Sequence, residues 1–302
     1  MYKSFFHLQS TPFADSPDPR FLVRMPHTRE ALATLEFGIS AHKGFIVLTG
    51  EVGTGKTTLL RCALASFDPG RVFSSFVFNS RIDILDFLEF VLADFGIVPH
   101  SRTKSGMLIQ LNQWLTERFR REETCVLVVD EAQNLSWEML EEIRLLTNLE
   151  TSSRKLLQIV LSGQPELEEK LNAPNLRQLR QRITLWARTH AISADQTSVY
   201  IAQRLHIAGS SERIFSDDAI ATIHRASRGI PRIINLICEH ALILAYVEQI
   251  QCIPAALIQT VARDLELEPQ PFMVSTTHGG PATNPMLPSV SHPQQGEGGE
   301  KR

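Results

Sequence analysis

The stretch GEVGTGKTT at 50–58 has the residue types and spacing of a loop that binds phosphate groups. Its glycines let the backbone turn sharply and direct N–H groups at phosphate oxygens, and the helix that follows adds partial positive charge. Lys56 can reach the terminal phosphates of ATP, and the Thr57 hydroxyl can bind Mg²⁺. The alternative is a loop without a ligand, but the apolar segment before it and the helical pattern after it favour nucleotide binding. The predicted nucleotide-binding residues of the loop are Gly50, Glu51, Val52, Gly53, Thr54, Gly55, Lys56, Thr57 and Thr58.

A pair of carboxylates ends a second apolar segment, CVLVVDEAQ at 125–133. We predict that Asp130 holds Mg²⁺ together with Thr57, mostly through the water shell of the ion. Glu131 follows at the position where a carboxylate can orient and deprotonate the attacking water. A solvated surface pair is the alternative, but the apolar strand before it favours ATP hydrolysis. A helicase interpretation of DEAQ is disfavoured, because the chain is too short for two RecA-like lobes.

Polar residues at the ends of two other predicted strands are candidates for sensing the nucleotide. Asn79 ends the second strand. It is either a turn residue or a side chain that holds the catalytic carboxylate away from water until a partner binds. Gln164 follows the fourth strand and is predicted to contact the γ-phosphate or the attacking water, with Ser162 as the alternative.

Two groups of arginines could complete the site. Arg177, Arg180 and Arg182 come just before the fifth predicted strand. They form either a solvated helix face or a group that projects into the ATP site of a neighbouring subunit, with Arg182 the first choice and Arg180 the second. Arg232 lies one turn into a later helix and is predicted to swing over the γ-phosphate, coupling domain closure to hydrolysis. A surface arginine is the alternative.

Strand and helix patterns alternate between 44 and 192, which predicts a parallel α/β sheet. After about 193 the strands stop and a small all-α domain follows, in which Ser216 is predicted to cap a helix and Gly229 to end it. The predicted strands are 44–50, 72–79, 124–131, 155–163 and 183–192. The predicted helices are 56–65, 82–95, 107–120, 137–150, 174–180, 195–208, 217–227, 230–249 and 254–267. The predicted domains are an α/β core with an N-terminal extension at 1–192, a helical domain at 193–268 and a disordered Pro/Gly-rich tail at 269–302.

The composition is ordinary for a globular protein, with 43% hydrophobic residues and a net charge of −3. No global basic field indicates a nucleic-acid partner. The sequence shows neither a secretory signal nor a run of the ~18 apolar residues that a membrane helix needs. The four cysteines lack the spacing of metal ligands, which predicts buried thiols in a reducing compartment. We therefore expect a cytoplasmic protein.

Taken in order, these motifs resemble those of the AAA+ ATPases. The resemblance is closest to the general secretion pathway A (ExeA-like) type, which includes ATPases of exosortase and polysaccharide-export loci. It spans about residues 1 to 267 and is carried by phrases such as GFIVLTGEVGTGKTTLLR, VLVVDEAQNLS, LLQIVLSGQPEL and SRGIPRIINLICEHAL.

The resemblance implies a P-loop AAA+ core with a five-stranded parallel sheet of order 5-1-4-3-2 and a C-terminal α-helical lid. It implies a homo-oligomer, of a ring or hexamer type, that uses ATP to assemble or remodel a cell-envelope complex for secretion, pili or exopolysaccharide export. It also implies that the N-terminal segment with His27 lies near the adenine. Secretion-type members continue into a transmembrane helix and a periplasmic peptidoglycan-binding region, whereas this chain ends in a polar tail. Any role at the inner membrane is therefore expected to run through a partner.

Two other functions fit parts of the sequence. One is a DNA-associated ATPase of the transposition-helper type, for which the basic helix at 177–182 is the only support. The other is a nucleotide-dependent switch with negligible turnover.

Overall fold

A parallel β-sheet lies at the centre of the protein. The structure, a computed structural model, describes residues 1–15, 18–78, 82–152, 154–210 and 212–267. Within these residues the strands run in the spatial order β2-β3-β4-β1-β5, which confirms the order implied by the family resemblance. The strands are β1 (Phe45–Thr49), β2 (Val72–Val77), β3 (Thr124–Val129), β4 (Leu157–Gly163) and β5 (Leu185–Arg188).

Helices cover both faces of the sheet and continue beyond it. They are α1 (Tyr2–Phe5), α2 (Pro26–Ser40), α3 (Lys56–Ala65), α4 (Ile84–Asp94), α5 (Lys104–Arg120), α6 (Trp137–Leu146), α7 (Pro165–Leu171), α8 (Arg177–Arg180), α9 (Ala194–Ile207), α10 (Asp217–Ser227), α11 (Pro231–Val247) and α12 (Ala255–Asp264). One face of the sheet packs on α2 and α3, and the other packs on α4 to α8.

The strand sequences explain this burial on both faces. Along β3, Cys125, Leu127 and Val129 enter the cluster on one face, while Val126 and Val128 enter the cluster on the other. Successive side chains of a strand point to opposite faces, so a strand covered on both sides needs an apolar residue at every position. The sequence of β3 meets that requirement.

The carboxyl ends of the strands meet at one edge, which becomes the site. Hydrogen bonds extend the sheet past the strand ends: the N–H of Gly50 donates to the carbonyl of Gly163 at 3.2 Å, and the N–H of Asp130 donates to that of Val77 at 3.0 Å. Thr189, just after β5, donates its N–H to the carbonyl of Thr49 at 2.8 Å. Segments far apart in sequence are thereby held side by side.

A separate apolar cluster fills the helical region after β5. As predicted, the Ser216 side chain caps α10, and α10 ends just before Gly229, which adopts a positive φ of 73°. The N-terminal segment, which the sequence grouped with the α/β core, places Phe6, Phe13 and Phe21 in this cluster. The N-terminal segment therefore packs with the helical region.

Several boundaries differ from the predicted ones. The fifth strand is only Leu185–Arg188 and not 183–192, because it is an edge strand that pairs with β1 alone. Helices α2 and α7 were not assigned from sequence, and α6 ends at Leu146 and not at 150. No helix among the described residues is long and apolar enough to cross a membrane. The predicted disordered tail at 269–302 lies outside those residues.

Candidate nucleotide-binding and hydrolysis site

The glycine-rich loop connects β1 to α3 at the carboxyl edge of the sheet. Gly53 and Gly55 adopt φ values of 79° and 95°, a left-handed conformation that a side chain disfavours. Gly50 is required for a different reason, since a Cβ atom there would lie 2.1 Å from the Thr189 hydroxyl oxygen. The loop ends where the first N–H groups of α3 are free of helical partners, which suits an anionic ligand.

Lys56 is buried inside this loop, with only 6% of the residue exposed. Its Nζ donates to the carbonyl oxygens of Gly50 at 2.8 Å and Glu51 at 3.1 Å. Burial lowers the pKa of the ammonium group, although the nearby carboxylates of Glu131 and Asp130 act in the opposite direction. A phosphate group beside Nζ would stabilise the charged form, so the loop is electrostatically suited to an anion.

Thr57 and Asp130 bring a hydroxyl and a carboxylate together. Thr57 Oγ1 donates to Asp130 Oδ2 at 2.9 Å, and Asp130 is 5% exposed. The other carboxylate oxygen accepts the backbone N–H of Glu131 at 3.0 Å. Oxygen donors of this kind, completed by phosphate oxygens and water, suit Mg²⁺. These two residues would therefore hold the ion, and no group of three or more acidic, His or Cys ligands occurs among the described residues.

Glu131 leaves the strand in a left-handed conformation, with φ 52°, which turns its side chain toward the cavity. Its Oε2 atom accepts from Gln133 Nε2 at 2.6 Å and from Gln164 Nε2 at 3.2 Å. Of the two candidates after β4, Gln164 thus reaches the predicted catalytic carboxylate. Ser162 is fully buried, and among the described residues its Oγ has no hydrogen-bond partner. The Asn79 prediction lies outside the described residues.

Gln133 is a site residue that the sequence analysis missed. The signal in the sequence is the glutamine of DEAQ, two positions after the predicted catalytic carboxylate Glu131. A 3₁₀ turn at Ala132–Asn134 folds the chain back, which brings this side chain to Glu131.

A cavity of about 360 Å³ opens beside the loop. One side, the loop wall, consists of Val52 to Leu59 and Glu131. The other side, the aromatic wall, is formed by the N-terminal segment and α9 through Phe21, Met25, His27, Tyr200 and Arg204. The cavity therefore joins the core to the helical region.

His27 lies in the aromatic wall, 6.3 Å from His190 between ring centres. The expectation that this segment lies near the base of a nucleotide stays a prediction. Burial, followed by the neighbouring His190, lowers the pKa of His27.

Arg204 was also missed from sequence. It is 7% exposed, and its guanidinium lies 5.0 Å from the Phe21 ring centre and 5.4 Å from that of Tyr200. It donates to the carbonyl of Pro12 at 2.6 Å and to the Tyr200 hydroxyl at 2.9 Å. No ion pair to it forms within the described part of the chain, so carbonyl, hydroxyl and ring faces compensate the cation.

The start of α11 touches the glycine-rich loop. The backbone N–H of Arg232 donates to the Gly53 carbonyl at 3.1 Å, and a Cβ atom at Gly53 would lie 2.8 Å from Arg232 Cβ. The Arg232 side chain lines the cavity and is 3.3 Å from the Asp15 carboxylate, with 61% of it exposed. It is therefore free to move toward a bound phosphate.

The arginines before β5 do not share one environment. Arg182 does not directly precede the strand, and its Nη1 donates to the Thr147 hydroxyl of the same chain at 3.1 Å. Arg177 and Arg180 are exposed on α8. Arg182 is half-buried, so Arg177 and Arg180 are the more exposed of the three.

Comparisons with known proteins show what the chain is similar to. A family model described as an AAA domain matches residues 39–171. General secretion pathway protein A of Aeromonas hydrophila is 42% identical over 248 residues, which cover 82% of this chain and 45% of that protein. The chain therefore spans less than half the length of this relative.

Two solved structures show the same fold. Cdc6p from Pyrobaculum aerophilum has a TM-score of 0.67 and 20% identity, covering 84% of this chain and 70% of that one. The ORC2 protein of Aeropyrum pernix has a TM-score of 0.65 and 14% identity, covering 85% of this chain and 72% of that one.

Proposed function

We propose that this chain hydrolyses ATP, because residues 39–171 match an AAA domain and most of the chain is similar to general secretion pathway protein A. One observation carries this proposal. Buried Lys56, Thr57 and Glu131 line one cavity at the carboxyl edge of the sheet, and Asp130 accepts a hydrogen bond from the Thr57 hydroxyl. Such a site provides a cation for phosphates, oxygen ligands for Mg²⁺ and a base for water.

In the proposed reaction Glu131 orients a water molecule for in-line attack. A bond forms between the water oxygen and the γ-phosphorus while the bond from that phosphorus to the β–γ bridging oxygen breaks. Glu131 takes the water proton, and the electron pair stays on the bridging oxygen of ADP. Lys56 stabilises the charge on the phosphate oxygens, and Mg²⁺ when bound by Thr57 and Asp130 adds charge neutralisation.

We further propose that the site is completed by a second subunit. A guanidinium supplied in trans stabilises transition-state charge in related chemistry. Arg182 is committed to Thr147 of its own chain, whereas the exposed Arg180 on α8 is available, so we favour Arg180 and then Arg182. Mixing Arg180→Ala subunits with Glu131→Gln subunits should partly restore turnover. An inactive mixture would argue for a role within one chain.

The test of hydrolysis compares the wild type with Glu131→Gln and, as a control, Glu248→Gln on the exposed end of α11. Glu131→Gln should keep ATP affinity and lose roughly 100-fold or more in kcat, because an amide accepts no proton. The control should match the wild type. If the wild-type protein binds ATP but does not hydrolyse it, the proposed hydrolysis is excluded and the protein is a nucleotide-dependent switch.

We propose that the work done with ATP is assembly or remodelling of a cell-envelope complex, by similarity to the secretion-pathway relative. A strain carrying Lys56→Ala should lose secretion, pilus or exopolysaccharide export. Normal export in that strain would overturn this part of the proposal.

The second candidate, DNA-linked ATPase activity, has one supporting observation: exposed Arg177 and Arg180 could contact phosphates. This function requires that the protein bind duplex DNA with an affinity that falls steeply between about 50 and 200 mM salt. Absence of such binding would exclude it.

A further inference from the structure

We infer that Gln133 is a positioning residue for Glu131, holding the carboxylate in the orientation in which it takes a proton from water. This inference rests on the ATP hydrolysis proposed above. Its first support is the short hydrogen bond of 2.6 Å from Gln133 Nε2 to Glu131 Oε2. A bond from an amide to an ionised carboxylate is stronger than one between neutral groups.

The orientation of the Gln133 amide is dictated by a neighbour. Its Oε1 accepts the backbone N–H of Gln164 at 3.1 Å. A backbone N–H can only donate, and an ionised carboxylate can only accept. The amide oxygen must therefore face Gln164 and the NH₂ group must face Glu131, so a flipped amide would lose both bonds.

Helix α7 also holds the main chain of Gln133. Lys170, in the last turn of α7, donates to the carbonyl oxygens of Gln133 at 3.1 Å and of Leu135. Gln164 is the residue just before the same helix. One short helix thus fixes the side chain of Gln133 from its start and the backbone from its end.

The space that Gln133 occupies depends on Gly163, the last residue of β4. A Cβ atom there would lie 2.8 Å from Gln133 Oε1. Gly163 does not have the positive φ that would itself call for glycine. A glycine inside a strand is otherwise unfavourable, and close approach of two side chains accounts for it: Gln133 and also Leu167, whose Cδ2 would lie 2.8 Å from the same Cβ atom.

As a consequence, the two carboxylate oxygens of Glu131 have different roles. Oε2 receives two amide donors, from Gln133 and Gln164. Within the described ranges, Oε1 accepts no hydrogen bond and remains available to water. Without Gln133 the carboxylate would rotate among several orientations, and fewer of them would meet the attacking water.

The test uses the full chain and three variants. Gln133→Ala removes the amide. Gln133→Glu keeps the size and the acceptor for the Gln164 N–H but replaces the donor with a carboxylate facing Glu131. Gln113→Ala, an exposed glutamine on α5, is the matched control. For each, kcat, KM, Tm and the Kd of a fluorescent ATP analogue are measured.

A positioning role predicts that kcat falls about 10-fold in Gln133→Ala and further in Gln133→Glu, with the Kd for nucleotide within about 3-fold of wild type. A purely structural role predicts that Gln133→Glu retains wild-type kcat. That result would overturn the inference while hydrolysis by the wild type stands. No turnover by the wild type itself would overturn the proposed function and, with it, this inference. If Gln133→Ala shows no thermal unfolding transition and is therefore not folded, the kcat of Gln133→Glu alone decides between a positioning role and a structural role.

Discussion

The loop wall and the aromatic wall of the cavity are held together by different interactions. The loop wall consists of polar groups that follow strands directly, and its hydrogen bonds orient side chains for chemistry, as in the Thr57–Asp130 pair. In the aromatic wall, Arg204 of α9 lies on rings and on the carbonyl of Pro12, 192 residues away in sequence. The first wall is specialised for a ligand and the second for joining distant parts of the chain.

This difference has an energetic consequence. Lys56 is desolvated and its pKa is lowered, so its charge contributes little to the stability of the loop. Arg204 is equally buried but is bonded to two acceptors and packed against three rings. We therefore expect substitutions in the loop wall to cost function, and those in the aromatic wall to cost stability.

The largest expected effect is on ligand affinity. Lys56→Ala should lower ATP affinity by about 100-fold or more, because the loop loses its only buried cation for the phosphates. The free energy of unfolding without nucleotide should fall by less than about 1 kcal/mol, since a desolvated charge is removed. Calorimetry and urea unfolding measure the two quantities. Retained affinity would contradict the assignment of the loop.

The next effect is on stability. Arg204→Ala should lower the free energy of unfolding by about 3 kcal/mol, because it leaves a void and an unpaired Pro12 carbonyl. Arg204→Met fills most of the same volume without the charge and should cost less than half as much. Urea unfolding compares them. Equal losses in both variants would mean that the hydrogen bonds, and not the packing, dominate the aromatic wall.

A smaller effect is expected where the core meets the helical region. A Cβ atom at Gly229 would lie 2.0 Å from the Ile192 carbonyl oxygen, whereas one at Gly96 would meet nothing within 4 Å. Both glycines have a positive φ. Gly96→Ala should therefore cost about 1 kcal/mol for the backbone alone, and Gly229→Ala roughly 1–2 kcal/mol more. Similar Tm values for the two variants would show that the backbone around Gly229 and Ile192 shifts to accommodate the methyl group at little cost.

The smallest effect is a dependence on pH. The pKa of His27 is lowered from 6.5 by burial, so the unfolded chain binds a proton more readily than the folded protein. The resulting loss of folding stability is absent above about pH 7 and grows as the pH falls below 6.5. His27→Gln should therefore gain Tm relative to the wild type at pH 5.5, and the gain should shrink by pH 7.5. A difference that is independent of pH would place its cause in packing.

The sequence predicted the limits of some helices well, but it predicted the contacts of single side chains less consistently. Helix α3 and helix α10 begin and end as predicted, because caps and glycines mark their limits. Helix α7 was missed because it has only 7 residues, too few for a helical period to emerge. The interpretation of Arg182 assumed that it preceded a strand directly, yet two residues intervene and its side chain bonds to Thr147.

The sequence alone determined the phosphate loop and the acidic pair, because each depends on residues that are neighbours in the chain, whereas the strand order was implied by the family resemblance. Tertiary structure decided which polar side chain reaches Glu131, where Arg204 is buried and how the N-terminal segment packs. Those outcomes depend on contacts between segments far apart in sequence. Their energies arise from shared burial and mutual hydrogen bonding, which no local pattern of residue types contains.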